Sequence, residues 1–237
     1  MERRMQQRQG VSWVLGLLAL LALATSAEAN LITNPSFEIV PNSNTGQGIL
    51  PTDWVNIPPP LPGADTYSND GSYGLLPTIF GNFTGVTAHD GIRWVAGWSA
   101  TGQESFGQFL GSHLVAGTPY VLSGWLHQAV RFNLNHPGGY EVYLTDTPGV
   151  HTAFAGFLGP TTSVAAGWTQ FSFSFTATPE MASLDFLEFA PVVTGAGTAY
   201  PGLDLVSLTA IPEPGTLSLL GLSLAALFHT RRRRSRR

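Results

Sequence analysis

The sequence predicts an all-β protein: a β-sandwich body with one apolar helix at each end. Three observations predict it. Short runs of aromatic and β-branched residues alternate with polar ones at the two-residue period of a half-buried strand. Gly- and Pro-bearing turns punctuate those runs at Asp70-Gly71, Asp90-Gly91, Pro137-Gly138-Gly139, Pro148-Gly149 and Pro201-Gly202. Between residues 30 and 211 no long stretch carries the 3.6-residue apolar period of a helix.

From the N-terminus, Arg3, Arg4 and Arg8 form a basic region, Val11 to Ala24 is apolar, and Ala27-Glu28-Ala29 has the small-x-small form of a signal-peptidase site. Residues 1–29 therefore read as a signal peptide, with Ala27 and Ala29 flanking the cleavage and signal peptidase as the first processing partner. Residues 41–87 are less regular, and Pro58-Pro59-Pro60 reads as an extended surface segment. The first clear strand has Ile92, Trp94, Ala96 and Trp98 on one face and Arg93, Val95 and Gly97 on the other. Tyr120 to Val130 and Tyr140 to Thr145 follow. The cleanest alternation sets Phe171, Phe173 and Phe175 against Ser172, Ser174 and Thr176. Leu184 to Phe189 and Leu203 to Leu208 complete the set.

The chain ends in Pro212-Glu213-Pro214, an apolar run from Gly215 to Phe228, and an arginine cluster from Arg231 to Arg237. Arginines beside an apolar helix stay on the cytoplasmic side, which places the body outside. Fourteen helical residues reach about 21 Å at about 1.5 Å each, short of a hydrocarbon core of roughly 30 Å. Such a helix halts export rather than anchoring permanently; thinning of the bilayer or snorkelling arginines must help it. This order of motif, helix and basic cluster over 212–237 resembles the PEP-CTERM sorting signal of bacteria. The resemblance implies that a membrane-embedded exosortase cuts at or near Pro212, Glu213 and Pro214 and releases or transfers the body. A membrane-anchored intermediate precedes that cut, and the cell envelope, surface or extracellular matrix follows it. The alternative is an ordinary C-terminal anchor.

With both ends set aside, residues 30–211 form one domain-sized body. The chain has 11 arginines and no lysine, but only Arg93 and Arg131 fall in this body, against 12 Asp and Glu, a formal charge of −10. An acidic surface repels phosphate backbones and excludes nucleic acid as a partner. The absence of cysteine excludes disulfides, thiol catalysis and thiolate metal sites.

The segment Asn30-Leu31-Ile32-Thr33-Asn34-Pro35-Ser36-Phe37-Glu38 resembles the opening strand of carbohydrate-binding-module-like jelly rolls of the galactose-binding-domain type. Trp54 after Pro51, the turn His89-Asp90-Gly91, Gly117 to Trp125, Gly167-Trp168-Thr169 and Gly202 to Leu208 are similar to later pieces of that fold. The resemblance implies a jelly-roll β-sandwich and, where its first and last strands meet, a structural calcium. Glu38 and Asp204 would be ligands, with Asp90 a third. In a regular strand Asp204 shares a face with Val206 and Leu208, and a carboxylate on an apolar face needs a partner. A hard cation or backbone amides would serve.

Sugar binding needs aromatic platforms beside polar groups. Trp98, Trp125, Phe132, Tyr140 and Tyr143 are candidates, with Arg93, His127, Gln128 and Glu141 near them in sequence. The expected ligand set is Trp125 and His127 on one strand and Glu141 and Tyr143 on the next, each pair sharing a face. Trp94 and Trp168 are expected in the core. Catalytic motifs are missing: there is no Gly-x-Ser-x-Gly, no His-Glu-x-x-His and no phosphate loop. The expectation is an exported, non-enzymatic surface or matrix protein that binds or structures exopolysaccharide. An extracellular polysaccharide-modifying enzyme and a protein-adhesion module are the alternatives.

Overall fold

The computed structural model describes residues 29–57, 63–99, 103–161 and 166–212. The apolar helices expected over 11–24 and 215–228 lie outside these residues, as do Ala27, Glu213 and Pro214. Among the described residues no helix is long and apolar enough to cross a membrane.

Ten strands build the body, Ala29–Ala210. They are β1 (Val55–Asn56), β2 (Asp65–Ser68), β3 (Arg93–Ala96), β4 (Phe106–Phe109) and β5 (Pro119–Gln128), then β6 (Gly138–Thr145), β7 (Ala153–Leu158), β8 (Thr169–Thr176), β9 (Phe186–Val193) and β10 (Pro201–Ala210). They form two antiparallel five-stranded sheets, ordered β1-β4-β9-β6-β7 and β2-β3-β10-β5-β8. The chain is an all-β jelly-roll sandwich. β8, an edge strand, keeps the alternation read from its phenylalanines: they are half-buried and the residues between them exposed. The short strands β1, β2, β4 and β7 carry too few alternating residues to stand out in sequence.

The inter-sheet core takes one face of each sheet. Leu122 and Leu126 of β5, and Leu203 and Leu208 of β10, meet Tyr140, Val142 and Leu144 of β6 and Leu187 and Phe189 of β9. Trp54 packs there against Phe37, Phe106 and Phe189. Tyr140, a platform candidate from sequence, is fully buried. Its hydroxyl donates to Pro201 O at 2.5 Å and accepts from Gly97 N–H at 3.1 Å, tying one sheet to the other.

On its β2-β3 side the second sheet is buried on both faces. Its outer face carries Trp94, Tyr67 and Tyr200, over which Phe83 and Leu134 close from the loops after β2 and β5. For this reason all four residues of β3 are buried, although its sequence alternates. Trp94 is core, as expected; Trp168 is partly buried against the same cluster.

One expectation about β10 is overturned. The register against β5 shifts by one residue between Asp204 and Ser207, and Leu205 has φ +48°. A bulge inserts a residue and breaks the two-residue period. Asp204 pairs with Trp125 on the outer face, while Val206 and Leu208 point into the inter-sheet core. They do not share a face. The opening segment covers the bulge: Val206 N–H donates to Pro35 O, and Asn30 brackets β10 through Val206 O and Leu208 N–H.

Candidate functional site

The three carboxylates considered for calcium do not gather around one point. Glu38 Oε1 accepts the backbone N–H groups of Ile92 and Arg93, each at 2.8 Å, and its Oε2 pairs with the Arg93 guanidinium at 2.9 Å. Asp204 Oδ2 accepts from His89 N–H and Asp90 N–H, each at 2.9 Å, and Oδ1 from Leu205 N–H at 2.7 Å. Asp90 is exposed. Gly91, at φ +63°, lies where a Cβ would strike the Glu38 carboxylate. The two acids thus clamp the 89–93 turn from both sides, using protein N–H donors where a cation was expected. Among the described residues no group of three or more His, Asp or Glu side chains is placed to hold a metal ion. The donor set therefore does not fit a shared calcium. Burial pushes the Asp204 carboxyl up to about 7, against the pull of its three N–H donors.

The four residues expected to bind sugar are divided by the topology. β5 belongs to one sheet and β6 to the other, so Trp125 and His127 lie on the opposite side of the sandwich from Glu141 and Tyr143. Each platform already carries a ring. His89 stacks on Trp125 at 3.7 Å between centroids, and His151 stacks on Tyr143 at 4.3 Å. His127 is buried, its Nδ1 2.7 Å from Gln128 O, and burial lowers its pKa. Tyr143 donates its hydroxyl to Glu141 Oε2 at 2.7 Å, and His151 Nε2 lies 2.8 Å from the fully buried Glu188. These side chains are largely satisfied within the protein.

A different constellation is open. At one end of the second sheet, where β2 and β10 begin and β3 and β5 end, lies a cavity of about 330 Å³. Its lining includes Asp65, Asn82, Glu104 and Tyr200, with Phe80, Trp98, Arg131 and Asn133 around them. Trp98 is 39% exposed and Phe80 56% exposed; between the lining residues Arg131 and Asn133, Phe132 is 89% exposed. Three aromatic side chains thus stand at this end of the sheet.

The cavity floor is a chain of acceptors. Tyr200 donates to Asp65 Oδ2 at 2.7 Å, and Tyr67 lies 3.4 Å from the Tyr200 oxygen. Asn82 Nδ2 donates to the Tyr67 oxygen at 2.9 Å. With the Tyr67 proton directed to Tyr200 and the Tyr200 proton to Asp65, the amide nitrogen must face Tyr67, which leaves Asn82 Oδ1 at the other end of the amide. That oxygen is buried and has no hydrogen-bond partner. The other Asp65 oxygen accepts Gly48 N–H at 2.7 Å. Glu104 is held in the loop after β3 by reciprocal backbone pairing with Trp98: Trp98 N–H donates to Glu104 Oε2, and Glu104 N–H to Trp98 O, both at 3.0 Å. Burial pushes the Glu104 carboxyl up to about 8, and the Asp65 charge raises it further. Burial likewise raises Asp65, opposed by the Gly48 and Tyr200 donors. Arg93 is paired with Glu38, and Arg131, the cavity's arginine, holds down neither acid.

Of these residues the sequence reading singled out only Trp98 and Phe132. The available signal was the one used for Asp204: a carboxylate amid apolar neighbours with few cations in the body. It applies to Asp65, between Ala64 and Thr66-Tyr67, but not to Glu104, whose neighbours Gln103 and Ser105 are polar.

Comparison with solved structures finds likenesses of fold. It is similar to a cyclase from Fischerella sp. TAU crystallised with 4-(1H-indol-3-yl)butan-2-one, at 16% identity and a TM-score of 0.50 over 78% of this chain and 99% of that one. It is also similar to the CBM22-1 xylan-binding domain of Paenibacillus barcinonensis Xyn10C (14% identity, TM-score 0.47, 81% and 100% covered). A third is TmCBM61 in complex with β-1,4-galactotriose (16%, TM-score 0.41, 77% and 99%). At such identities likeness concerns the fold alone. No curated protein matches the chain. Residues 210–234 match the PEP-CTERM protein-sorting motif. The chain carries that sorting signal and is an exported, exosortase-sorted protein of the cell surface.

Proposed function

We propose that the body is a non-catalytic glycan-binding module that holds or structures exopolysaccharide, and that its ligand enters the cavity between Trp98 and Phe80. One observation carries the reading. An open cavity combines exposed aromatic faces with the buried carboxyls of Asp65 and Glu104. A sugar ring offers apolar C–H faces for stacking and hydroxyl donors for such carboxyls. In this reading the sorting signal delivers the module through a membrane-anchored intermediate to the surface or matrix, where polysaccharide is its partner.

The test is titration of the host's secreted polysaccharide, and of defined oligosaccharides, into the purified protein by calorimetry. Trp98→Ala should weaken binding about tenfold or more, the scale of one lost aromatic contact, with little change in melting temperature because the side chain is partly exposed. Undiminished binding in that variant would remove the cavity as the site. A polysaccharide-modifying enzyme is favoured by one feature, two carboxyls in one cavity with one of them pushed up to about 8. Turnover of the polysaccharide, lost in Glu104→Gln, would select that reading.

A further inference from the structure

We infer that the cavity recognises an amino sugar, a pyranose carrying a protonated amine, and that the ammonium group is received between Asp65 and Glu104. The inference deepens the glycan-binding reading and rests on it.

The buried part of the lining is acidic: Asp65 and Glu104 bring carboxyl groups there, whereas the cavity's Arg131 is exposed. The Tyr200 proton is already given to Asp65 and the Asn82 amide nitrogen to Tyr67. Asn82 is 5% exposed, yet its carbonyl oxygen has no partner. Both acids are buried together, and no arginine is paired with either among the described residues. A neutral sugar brings hydroxyl donors but no charge to draw the proton from Glu104, which burial holds at about 8. An ammonium brings three donors and a positive charge to the same place. Burial raises both carboxyls, and the Asp65 charge raises Glu104 further, as expected for acids that lack a cation. The exposed faces of Trp98 and Phe80 select a ring over a flexible amine, and a cation near an aromatic face is further stabilised. An N-acetylated sugar keeps the ring but replaces the three-donor cation by a neutral amide with one N–H and an added carbonyl acceptor. It is the natural counter-ligand.

The experiment uses the protein isolated from its own host and three probes: a glucosamine hexamer, its fully N-acetylated counterpart and oligolysine. The expected result is at least tenfold tighter binding of the glucosamine hexamer than of the acetylated one, with oligolysine weaker than both. Glu104→Gln and, independently, Asp65→Asn should reduce that preference to within about twofold. The exposed acid Glu180, far from the cavity in sequence, provides the control for general attraction of a polycation to an acidic surface; Glu180→Gln should keep the preference. Equal binding of the two hexamers overturns the amino-sugar inference and leaves glycan binding standing. So does a preference that survives both cavity variants or vanishes in Glu180→Gln. Tighter binding of oligolysine overturns it in favour of a basic peptide. Absence of binding by either hexamer and by the host's polysaccharide overturns both readings together.

Discussion

At the scale of single residues, the structure turns on acids that few cations serve. Glu38 uses Arg93, Asp204 uses three backbone N–H groups, and Asp65 and Glu104 face a cavity. Stability should follow. A carboxyl whose pKa is raised by folding keeps its proton in the native state after the unfolded chain has lost it, so stability falls as pH rises through that window. With Glu104 at about 8 and Asp204 at about 7, against values near 4 in the unfolded chain, the loss runs from about pH 4 to about pH 8. His127, lowered by burial, acts in the opposite sense, losing stability as pH falls through its unfolded value near 6.5, so it opposes the carboxyls below that pH and leaves the range above it to them. The part of that loss remaining above pH 6.5 is about 2–3 kcal/mol, or roughly 4–10 °C in melting temperature for a domain of this size. Calorimetric scans at pH 6.5 and 9 should show that fall, and Glu104→Gln should remove most of it. A flat profile in the parent protein would contradict the burial of both acids.

At the scale of elements, the bulge in β10 decides which residues the central strand gives to each face. Leu203 and Leu208 are buried between the sheets, whereas Leu205 is 37% exposed at φ +48°. A non-glycine residue in that region carries about 1–2 kcal/mol of backbone strain, and glycine relieves it at an entropic cost of about 0.5–1 kcal/mol. Leu205→Gly should therefore be neutral or stabilising by up to about 1 kcal/mol. Leu203→Ala, in the same strand, should cost about 2–5 kcal/mol. Denaturant unfolding of both variants makes the comparison, and similar losses at the two positions would mean that no bulge forms. The bulge was not legible in sequence: Asp204, Val206 and Leu208 keep the spacing of a regular strand, and the extra residue appears only against β5. By contrast, Phe171, Phe173 and Phe175 were legible, since an edge strand covered on one face buries every second residue.

At the scale of the whole molecule, an acidic body of formal charge −10 lies between two basic termini. Signal-peptidase cleavage after Ala29 and exosortase cleavage near Pro212 should leave a mature species that begins at Asn30 and has lost Arg231 to Arg237. Intact-mass measurement on the protein from its host checks both ends at once. A surface species that retained the arginine cluster would leave the C-terminal segment as a plain anchor.

The sequence by itself determined the sorting signal, the acidic balance of the body and its all-β class. Each is written in local order or composition: a motif of fixed order, a count of charges, a period of two. Only the tertiary structure decided where the site lies. β5 and β6 are neighbours in sequence, yet they entered different sheets, which separated Trp125 and His127 from Glu141 and Tyr143. Asp65, Asn82, Glu104 and Tyr200 lie far apart along the chain and line one cavity because antiparallel strands bring the start of β2 and β10 beside the end of β3 and β5. Sheet pairing is a non-local choice made by burial of whole faces, so no window of the sequence records which acids will share a cavity.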